Sequence, residues 1–273
     1  AGRQMEKSFE LFWHNNRAVP LTHLKDVNAD ILAHPFDSKP WTEPRFADPQ
    51  RVATTLTEAE DPEWLAENLL DHSLNVGLVD YFYDLPSKDE AVHGPDSREL
   101  TRDLMKMISD AHEQIVLQTP YLVLTKRAGG NFVALRKKQP PVEVIVSTNS
   151  LASTDALGVY ALSYKHHKKF LVDYGFQIHE LMPHPADAAG MLGDYDRLSG
   201  IGSEKSSAHR GGRAPIESGS PGPRISLHAK SLVVDGRIAM VGSHNFDPRS
   251  AHYNTEGGVI VDDPAFAQQL RAA

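Results

Sequence analysis

The 273-residue sequence contains no cysteine. This absence excludes disulfide bonds and thiolate metal sites within the chain, but it does not identify a cellular compartment. No apolar run approaches the ~20 residues of a membrane-spanning helix, so we expect any membrane contact to be peripheral. An H-E-x-x-H motif is also missing, although the chain has 14 histidines. We therefore expect neither a metal ion nor another cofactor.

The sequence also lacks an excess of basic residues. Lys and Arg total 28 against 36 Asp and Glu, which gives a formal net charge of −8 at pH 7. Proteins with a large nucleic-acid footprint usually carry a basic face. Nucleic acid is therefore a disfavoured partner, although basic clusters at residues 136–138 and 165–169 keep the average from being decisive.

The chain divides into an irregular first part and a regular second part. With 40% hydrophobic residues, it has enough apolar side chains for a buried core. We expect a helical, irregular N-terminal segment over residues 1–97, with a candidate strand at 75–83, and a second domain over 98–273. The second domain alternates predicted helices at 97–113, 131–138 and 156–174 with predicted strands at 114–118, 142–147 and 177–181. This alternation predicts an α/β fold, a mixed β-sheet flanked by helices.

The most informative stretch sets His228, Lys230 and Asp235 in an H-x-K-x-x-x-x-D array. If Ser226–Val234 is a strand, His228 and Lys230 lie on one face, roughly 6 to 7 Å apart. An imidazole can attack phosphorus or protonate a leaving oxygen, while a fixed ammonium offsets the charge of phosphate oxygens. The array therefore indicates phosphodiester chemistry.

The continuation of the array predicts a hairpin. Asp235 has the opposite strand parity and precedes a glycine, a pair typical of a turn. We count Asp235 with the catalytic array but expect its role to be more structural than catalytic. The returning strand, Arg237–Val241, would deliver Gly242, Ser243 and Asn245 to the same phosphate. We predict that these three residues bind substrate.

Three further side chains are candidates for the same site. Glu256 opens a predicted strand, Gly257–Asp262, from which a carboxylate can hold the imidazole of His228 in one tautomer. An exposed strand-edge glutamate is the alternative. Tyr121 and Asn149 follow predicted strands at the edge where α/β sheets place ligands. We predict that both bind substrate, with a packing role as the alternative for Tyr121.

A second H-x-K-x-x-x-x-D array occurs at His166, Lys168 and Asp173. Its surroundings have apolar residues at helical intervals, with Gly175 placed just after the helix end. Side chains two apart on a helix diverge by roughly 200°, so His166 and Lys168 would not face one phosphate. We interpret this array as a solvated basic helix face.

The first array and its flanking motifs resemble the phospholipase D superfamily. Four further segments are similar to the C-terminal half of bacterial cardiolipin synthases, most of all the cardiolipin synthase C type: Gln118–Tyr121, Ser147–Asp155, Asp247–Ser250 and Asn254–Glu256. The resemblance implies phosphatidyl transfer or hydrolysis through a phosphohistidine, on a phospholipid such as phosphatidylglycerol. It also implies a bacterial protein peripheral to the cytoplasmic side of a membrane. In such a reaction His228 would protonate the departing alcohol.

A weaker resemblance at Ser8–Asn16 is to the segment that follows the family's first H-x-K motif. We therefore expect that one catalytic half is missing and that position 1 is not the natural start. The partner would be a second catalytic half in a longer chain or a second copy of this chain. Two other functions stay open: a superfamily nuclease acting on DNA, and a non-catalytic half that acts as a binding module.

The segment 183–224 is rich in glycine, serine, proline and charge and has no periodicity. Loops of this length in compact domains are usually functional or disordered, and both alternatives stay open. As a functional loop it would cover the strand that follows it. Arg210, Arg213 and Arg224 would then be candidates for contact with anionic lipid head groups.

Overall fold

The computed structural model describes residues 1–34, 46, 48–88, 99–192, 195 and 224–272. The chain forms two compact units. The larger unit comprises Ala1–Phe12 and Gly77–Ala273, and the smaller unit comprises Trp13–Val76.

A mixed sheet of seven strands forms the framework of the larger unit, in the order β1-β7-β6-β5-β2-β3-β4. The strands are β1 (Leu78–Tyr83), β2 (Gln114–Gln118), β3 (Glu143–Asn149), β4 (Phe176–Leu181), β5 (Ser231–Val234), β6 (Ile238–Gly242) and β7 (Gly257–Asp262). Strands β2, β3 and β4 are parallel to one another. Strand β5 joins β2 in antiparallel orientation, and β6, β7 and β1 follow in antiparallel pairs.

Helices flank this sheet, as the α/β alternation predicts. The helices of the larger unit are α1 (Gly2–Trp13, which ends at the boundary with the smaller unit), α5 (Glu99–Asp110), α6 (Lys126–Arg136), α7 (Leu157–Val172), α8 (Ala188–Met191), α9 (Pro248–His252) and α10 (Pro264–Ala272). The helices of the smaller unit are α2 (Lys25–Ala33), α3 (Pro49–Glu60) and α4 (Pro62–Leu65), with a 3₁₀ turn at Leu21–His23 and a π-helical turn at Ala66–Leu70. The predicted mixed α/β sheet with flanking helices is confirmed.

The hydrophobic core occupies both faces of the sheet. Ile115 and Leu117 of β2 are buried in the main cluster, together with side chains from α5, α6 and α7. Between them, Val116 packs against a smaller cluster that includes Val233 and Ala267. Because successive strand residues point to opposite faces, α10 covers the face opposite α5, α6 and α7.

Helix α1 covers the edge strand β1. The Gln4 side chain accepts a hydrogen bond from the Tyr81 backbone N–H at 3.1 Å and donates to Asp80 at 3.4 Å. The first of these bonds satisfies a backbone N–H that an edge strand would otherwise expose. Both α1 and β1 thus belong to the larger unit, although they precede the predicted domain boundary after residue 97. That boundary itself falls at the end of residues 89–98, which lie outside the described residues.

Two sequence expectations about α7 hold and one about β5 is wrong. The second H-x-K array lies on α7, and Gly175 follows the helix with φ +70°. Strand β5 begins only at Ser231, however, so the expectation that the strand spans Ser226–Val234 is wrong for the residues before Ser231. Of the predicted long loop, only residues 183–192, 195 and 224 are described.

The smaller unit is helical, and polar caps begin α3 and α4. Asp48 accepts a hydrogen bond from Arg51 N at the start of α3, and Asp61 accepts from Glu63 N and Trp64 N at the start of α4. Each cap is followed by a proline at the first helical position, where no backbone N–H is required. None of the described residues of α2, α3 or α4 is buried.

Candidate active site

The sheet topology brings most of the candidate residues to one edge. Strands β2, β3 and β6 end there, and β5 and β7 begin there, because β5 and β7 run antiparallel to their neighbours. We call this edge the site edge. It collects residues that follow or precede strands: Tyr121, Asn149, His228, Lys230, Ser243, Asn245 and Glu256.

His228 and Lys230 lie in the extended approach to β5 rather than within the strand. His228 is exposed and Lys230 is half-buried. The Lys230 Nζ donates a hydrogen bond to the carbonyl of His228 at 2.8 Å, which ties the ammonium to the backbone that carries the imidazole. The two groups therefore stay together without the strand pairing that the sequence predicted.

The ammonium of Lys230 lies among carboxylates. Burial lowers the pKa of Lys230, while the negative charges of Glu256, Asp155 and Asp247 act in the opposite direction. The effect of burial is the larger one, so the pKa of Lys230 lies below its ordinary value. A partly desolvated cation of this kind is a suitable contact for the non-bridging oxygens of a phosphate.

Asn149 holds the approach to β5 in place. Its Nδ2 donates to the Leu227 carbonyl and its Oδ1 accepts from the Leu227 N–H, both at 2.8 Å. The side chain is buried, and its Oδ1 also accepts a hydrogen bond from the Ser153 hydroxyl at 3.2 Å. Asn149 thus replaces a neighbouring strand at Leu227, one residue before His228. Its amide is occupied by protein groups in this structure, and direct contact between Asn149 and substrate stays a prediction.

Tyr121 borders His228. The two rings meet edge to face, with centroids 6.2 Å apart and an interplanar angle of 80°. The Tyr121 hydroxyl donates to the Asp155 carboxylate at 3.0 and 3.1 Å. Burial and this carboxylate raise the pKa of Tyr121 to about 12. The phenol therefore stays protonated at neutral pH and cannot act as a base.

Glu256 is satisfied by serine hydroxyls. Its Oε2 accepts a hydrogen bond from Ser243 Oγ, and its Oε1 accepts from Ser250 Oγ at 2.7 Å. Within the described part of the chain, no hydrogen bond joins Glu256 to His228. The expectation that Glu256 orients the imidazole of His228 is therefore not met in this structure, because the buried carboxylate already has two hydroxyl donors.

A buried ion pair lies beneath Glu256. Lys88 Nζ contacts Asp84 Oδ2 and the Ser250 carbonyl, each at 2.5 Å, and neither charged side chain is exposed. Asp84 Oδ2 also accepts the backbone N–H of Glu256 at 3.1 Å. Burial raises the pKa of Asp84 despite the opposing effect of Lys88. Sequence reasoning missed this pair, since an Asp and a Lys four residues apart after a strand read as surface residues.

Gly242 has a structural reason to be glycine. A Cβ at this position would lie 2.5 Å from the Gly257 carbonyl and 2.8 Å from the Gly258 Cα. Real side chains do not tolerate such distances, so the close approach of β6 and β7 requires the glycine. This packing accounts for Gly242 without the predicted contact between its backbone and substrate.

The Asn245 backbone is fixed while its side chain has an unused acceptor. Its N–H donates to Ser250 Oγ at 3.1 Å, and its carbonyl accepts from Thr119 Oγ1 at 2.7 Å. The side-chain Oδ1 is buried and has no hydrogen-bond partner among the described residues. Ser243 and Asn245 thus both stand at the site edge, and their contact with substrate stays a prediction.

Asp235 lies at the opposite edge of the sheet, in the turn between β5 and β6. Its carboxylate accepts the backbone N–H groups of His112, Glu113 and Gln114 at 2.8 to 3.2 Å. Burial alone would raise the pKa of Asp235, but these donors lower it overall. Asp235 fastens the hairpin to the start of β2. It therefore does not join the other members of the catalytic array.

His244, which sequence reasoning did not single out, is buried beside the site edge. Its Nδ1 accepts the Phe246 N–H at 2.8 Å, and its Nε2 lies 3.4 Å from Thr101 Oγ1. Burial, followed by the positive charge of Lys88, lowers the pKa of His244 to about 3. The imidazole is therefore neutral in the folded protein and stabilises the loop between β6 and α9.

The described residues show neither a metal site nor a membrane-spanning helix. No group of three or more His, Cys, Asp or Glu side chains within them is arranged to hold a metal ion. None of the helices in the described ranges has the length and apolar character needed to cross a membrane.

The chain resembles several known proteins. The family model described as "Cardiolipin synthase, PLD-like domain" matches residues 104–273. Cardiolipin synthase C of Escherichia coli K12 is 32% identical over 171 residues, which cover 63% of this chain and 31% of that protein. An uncharacterized protein of Helicobacter pylori J99 is 25% identical over 282 residues, which cover 97% of this chain and 46% of that protein. The chain thus spans about half or less of the length of these relatives.

Solved structures show distant likeness. Phosphatidylserine synthase of Haemophilus influenzae has a TM-score of 0.45 at 15% identity, covering 71% of this chain and 36% of that chain. Nuc of Salmonella typhimurium, described as a phospholipase D family member, has a TM-score of 0.41 at 16% identity, covering 71% of this chain and 90% of that chain.

Proposed function

Since the chain belongs to the cardiolipin synthase, phospholipase D-like domain family, we propose that it supplies one half of a site for phosphatidyl transfer or phosphodiester hydrolysis on phospholipids. The substrate would be a phospholipid such as phosphatidylglycerol, reached from the cytoplasmic side of a bacterial membrane by peripheral contact.

The convergence of His228, Lys230, Ser243 and Asn245 at one edge carries this proposal. Residues far apart in sequence meet there because the topology places the start of β5 beside the ends of β2 and β6. A cation, a hydroxyl, an amide and an exposed imidazole are the groups that phosphodiester chemistry requires.

The proposed reaction has two steps. In the first, a histidine nitrogen from a second catalytic half bonds to phosphorus, the bond from phosphorus to the leaving alcohol breaks, and His228 gives that oxygen a proton. In the second, an incoming glycerol hydroxyl or water gives its proton to His228 and attacks phosphorus, and the bond between phosphorus and nitrogen breaks. Lys230 offsets the charge of the phosphate oxygens in both steps.

The second half would come from elsewhere. The second H-x-K array of this chain lies on helix α7, where His166 and Lys168 point in different directions. We therefore propose that the partner half is part of a longer chain or a second copy of this chain. In a symmetric pair, either copy of His228 could be the nucleophile.

The test is release of the alcohol head group from phosphatidylglycerol vesicles at graded protein concentrations, for the parent, His228→Ala and His166→Ala. His166 is a matched control because it belongs to the same sequence pattern but lies exposed on α7. We expect cooperative, concentration-dependent release by the parent and His166→Ala, and none by His228→Ala. Activity that appears only with an added second half would also support the proposal.

Equal release by the parent and His228→Ala would contradict the proposed role of His228. Cleavage of DNA in place of phospholipid by the same proteins, with a steep dependence on salt, would assign the site to a nuclease instead. Lipid binding that survives His228→Ala without turnover, even with an added second half, would indicate a binding module.

A further inference from the structure

A cavity of about 350 Å³ opens beside the site edge, between α1, β1 and the start of β7. Side chains of Met5, Phe9 and Phe12 from α1 line one side, and Tyr81 and Tyr83 from β1 line another. Glu256 also lines it, together with Ser8, Thr255 and Gly257. The cavity is therefore in direct contact with a side chain of the candidate active site.

Glu256 borders both the cavity and the place where the phosphate would lie. The carboxylate of Glu256 accepts a hydrogen bond from Ser243, which stands at the end of β6, and its charge acts on Lys230. A phosphate bound between Lys230 and Ser243 would thus have the cavity on the far side of Glu256. Whatever is esterified to that phosphate is the part of a substrate that can extend into the cavity.

The lining suits an uncharged, largely apolar group. Met5 is about half exposed, at 44%, so part of its apolar surface is accessible to a ligand in the cavity. The Tyr81 and Tyr83 rings stack with centroids 5.7 Å apart. Among the described residues, neither tyrosine hydroxyl has a hydrogen-bond partner, so both can contact the ester oxygens of a ligand in the cavity.

The negative charge of Glu256 makes the cavity unfavourable for a ligand with several negative charges. Glu256 is the one residue among those that line the cavity whose side chain is charged at neutral pH. A further phosphate there would meet a buried negative charge, whereas an acyl chain would gain about 0.8 kcal/mol for each CH₂ group removed from water. The cavity therefore favours the acylated end of a glycerolipid over the next phosphate of a nucleic-acid strand.

We propose that this cavity binds the proximal part of an acyl chain of the phospholipid whose phosphate occupies the site edge. This inference rests on the proposed function and deepens it, because it assigns the substrate to acylated glycerophosphodiesters. The head-group alcohol would then lie on the opposite side of the phosphate, toward His228 and Tyr121.

The experiment compares two ligands of the same head group by NMR on the full chain with ¹³C-labelled methionine methyl groups. Dihexanoylphosphatidylglycerol, kept below its micelle concentration, carries short acyl chains, and glycerophosphoglycerol carries none. We expect the Met5 methyl signal to shift with the acylated ligand alone. That ligand should bind at least about tenfold more tightly than the deacylated one, as burial of a few CH₂ groups requires.

Two variants and one control test the location. Met5→Trp fills the cavity and Phe9→Ser removes an apolar wall, and each should abolish most of the preference for the acylated ligand. Met191→Trp changes an exposed methionine of α8 and should leave the preference intact. Circular dichroism establishes that each variant is folded, and the parent comparison stands even where one variant fails to fold.

Equal affinity for both ligands in the parent, or an unchanged preference in both cavity variants, would overturn the inference. A short oligonucleotide that shifts Met5 and displaces the acylated ligand would overturn the choice of substrate class. Failure of the proposed function has a different signature. In that case Lys230→Met would leave the affinity for glycerophosphoglycerol unchanged, while the Met5 shift would still report the acyl chain.

Discussion

At the scale of single residues, the position of His228 depends on an amide rather than on strand pairing. Asn149 makes two hydrogen bonds to the backbone of Leu227, as a neighbouring strand would. A catalytic group that is misplaced by about 1 Å can lose on the order of 10²-fold in rate. We therefore expect Asn149 to position the imidazole of His228 through these two bonds.

We expect Asn149→Leu, which keeps the volume but removes both bonds, to lower kcat about 10- to 100-fold with little change in KM. The measurement is head-group release by the assembled enzyme. Ser153→Ala is the control, because it removes one bond to Asn149 but leaves both bonds to Leu227. If Asn149→Leu lowered the melting temperature alone and left kcat unchanged, Asn149 would have only a structural role.

His244 makes stability depend on pH. The pKa of this imidazole is about 3 in the folded chain against an ordinary value of 6.5. Between these values the unfolded chain binds a proton that the folded chain does not. The contribution is fully present above pH 6.5 and is lost as pH falls toward 3, at no more than about 1.4 kcal/mol per pH unit.

We therefore expect His244→Gln, which stays neutral, to reduce the loss of unfolding free energy on acidification. Urea unfolding between pH 4 and 7 measures the difference between parent and variant. His166→Gln, at an exposed position on α7, should retain the parental slope. Identical slopes for the parent and His244→Gln would show that burial of His244 has no such effect.

At the scale of elements, the hairpin of β5 and β6 is anchored at one end and carries candidate site residues at the other. Asp235 holds the turn to the start of β2 through three backbone N–H groups. The opposite end presents Lys230 and Ser243. One sequence motif thus contains both a residue that anchors the turn, Asp235, and a candidate residue of the site, Lys230.

For Asp235→Ala we expect a loss of about 1 to 3 kcal/mol in the free energy of unfolding, since three backbone N–H groups lose their charged acceptor. Among folded molecules kcat should stay within about twofold, because the carboxylate lies at the far edge. Denaturant unfolding and head-group release measure the two quantities. If Asp235→Ala lowered kcat strongly without changing the free energy of unfolding, Asp235 would have a catalytic role.

Local sequence patterns predicted which strands and helices form better than they predicted the residues at which these elements begin. The parity of His228 and Lys230 and the turn at Asp235 indicated a hairpin, and β6 and β7 occur where expected. The start of β5 was misplaced because Asn149, 78 residues earlier than Leu227, replaces a strand there. Such a contact leaves no local signal. Similarly, α6 begins earlier than predicted because Thr125 caps it, despite two glycines that weaken helical propensity.

Local sequence patterns also did not predict the hydrogen-bond partners of Glu256. A carboxylate near an H-x-K array is readily assigned to the imidazole. In the structure it meets Ser243 and Ser250, and the buried pair of Asp84 and Lys88 fixes its backbone. Side-chain pairing of this kind depends on the packing of β1, β6 and β7, which sequence spacing does not encode.

At the scale of the whole molecule, topology makes the site. Short polar segments that follow β2, β3 and β6 or precede β5 and β7 meet at one edge because β2 and β3 run parallel to each other, while β5, β6 and β7 follow as antiparallel neighbours. The family match covers residues 104–273. Helix α1 and strand β1, outside that match, complete the sheet and supply two walls of the cavity beside Glu256.

The central claim is that this edge binds the phosphate of a phosphodiester. The most direct test is a ¹⁵N NMR titration of the chain with glycerophosphoglycerol, repeated with Lys230→Met. The account predicts that the amide signals of Lys230, Ser243 and Asn245 shift together and that the substitution abolishes the shift. Shifts confined to the opposite edge around Asp235, or binding that is unaffected in Lys230→Met, would contradict it.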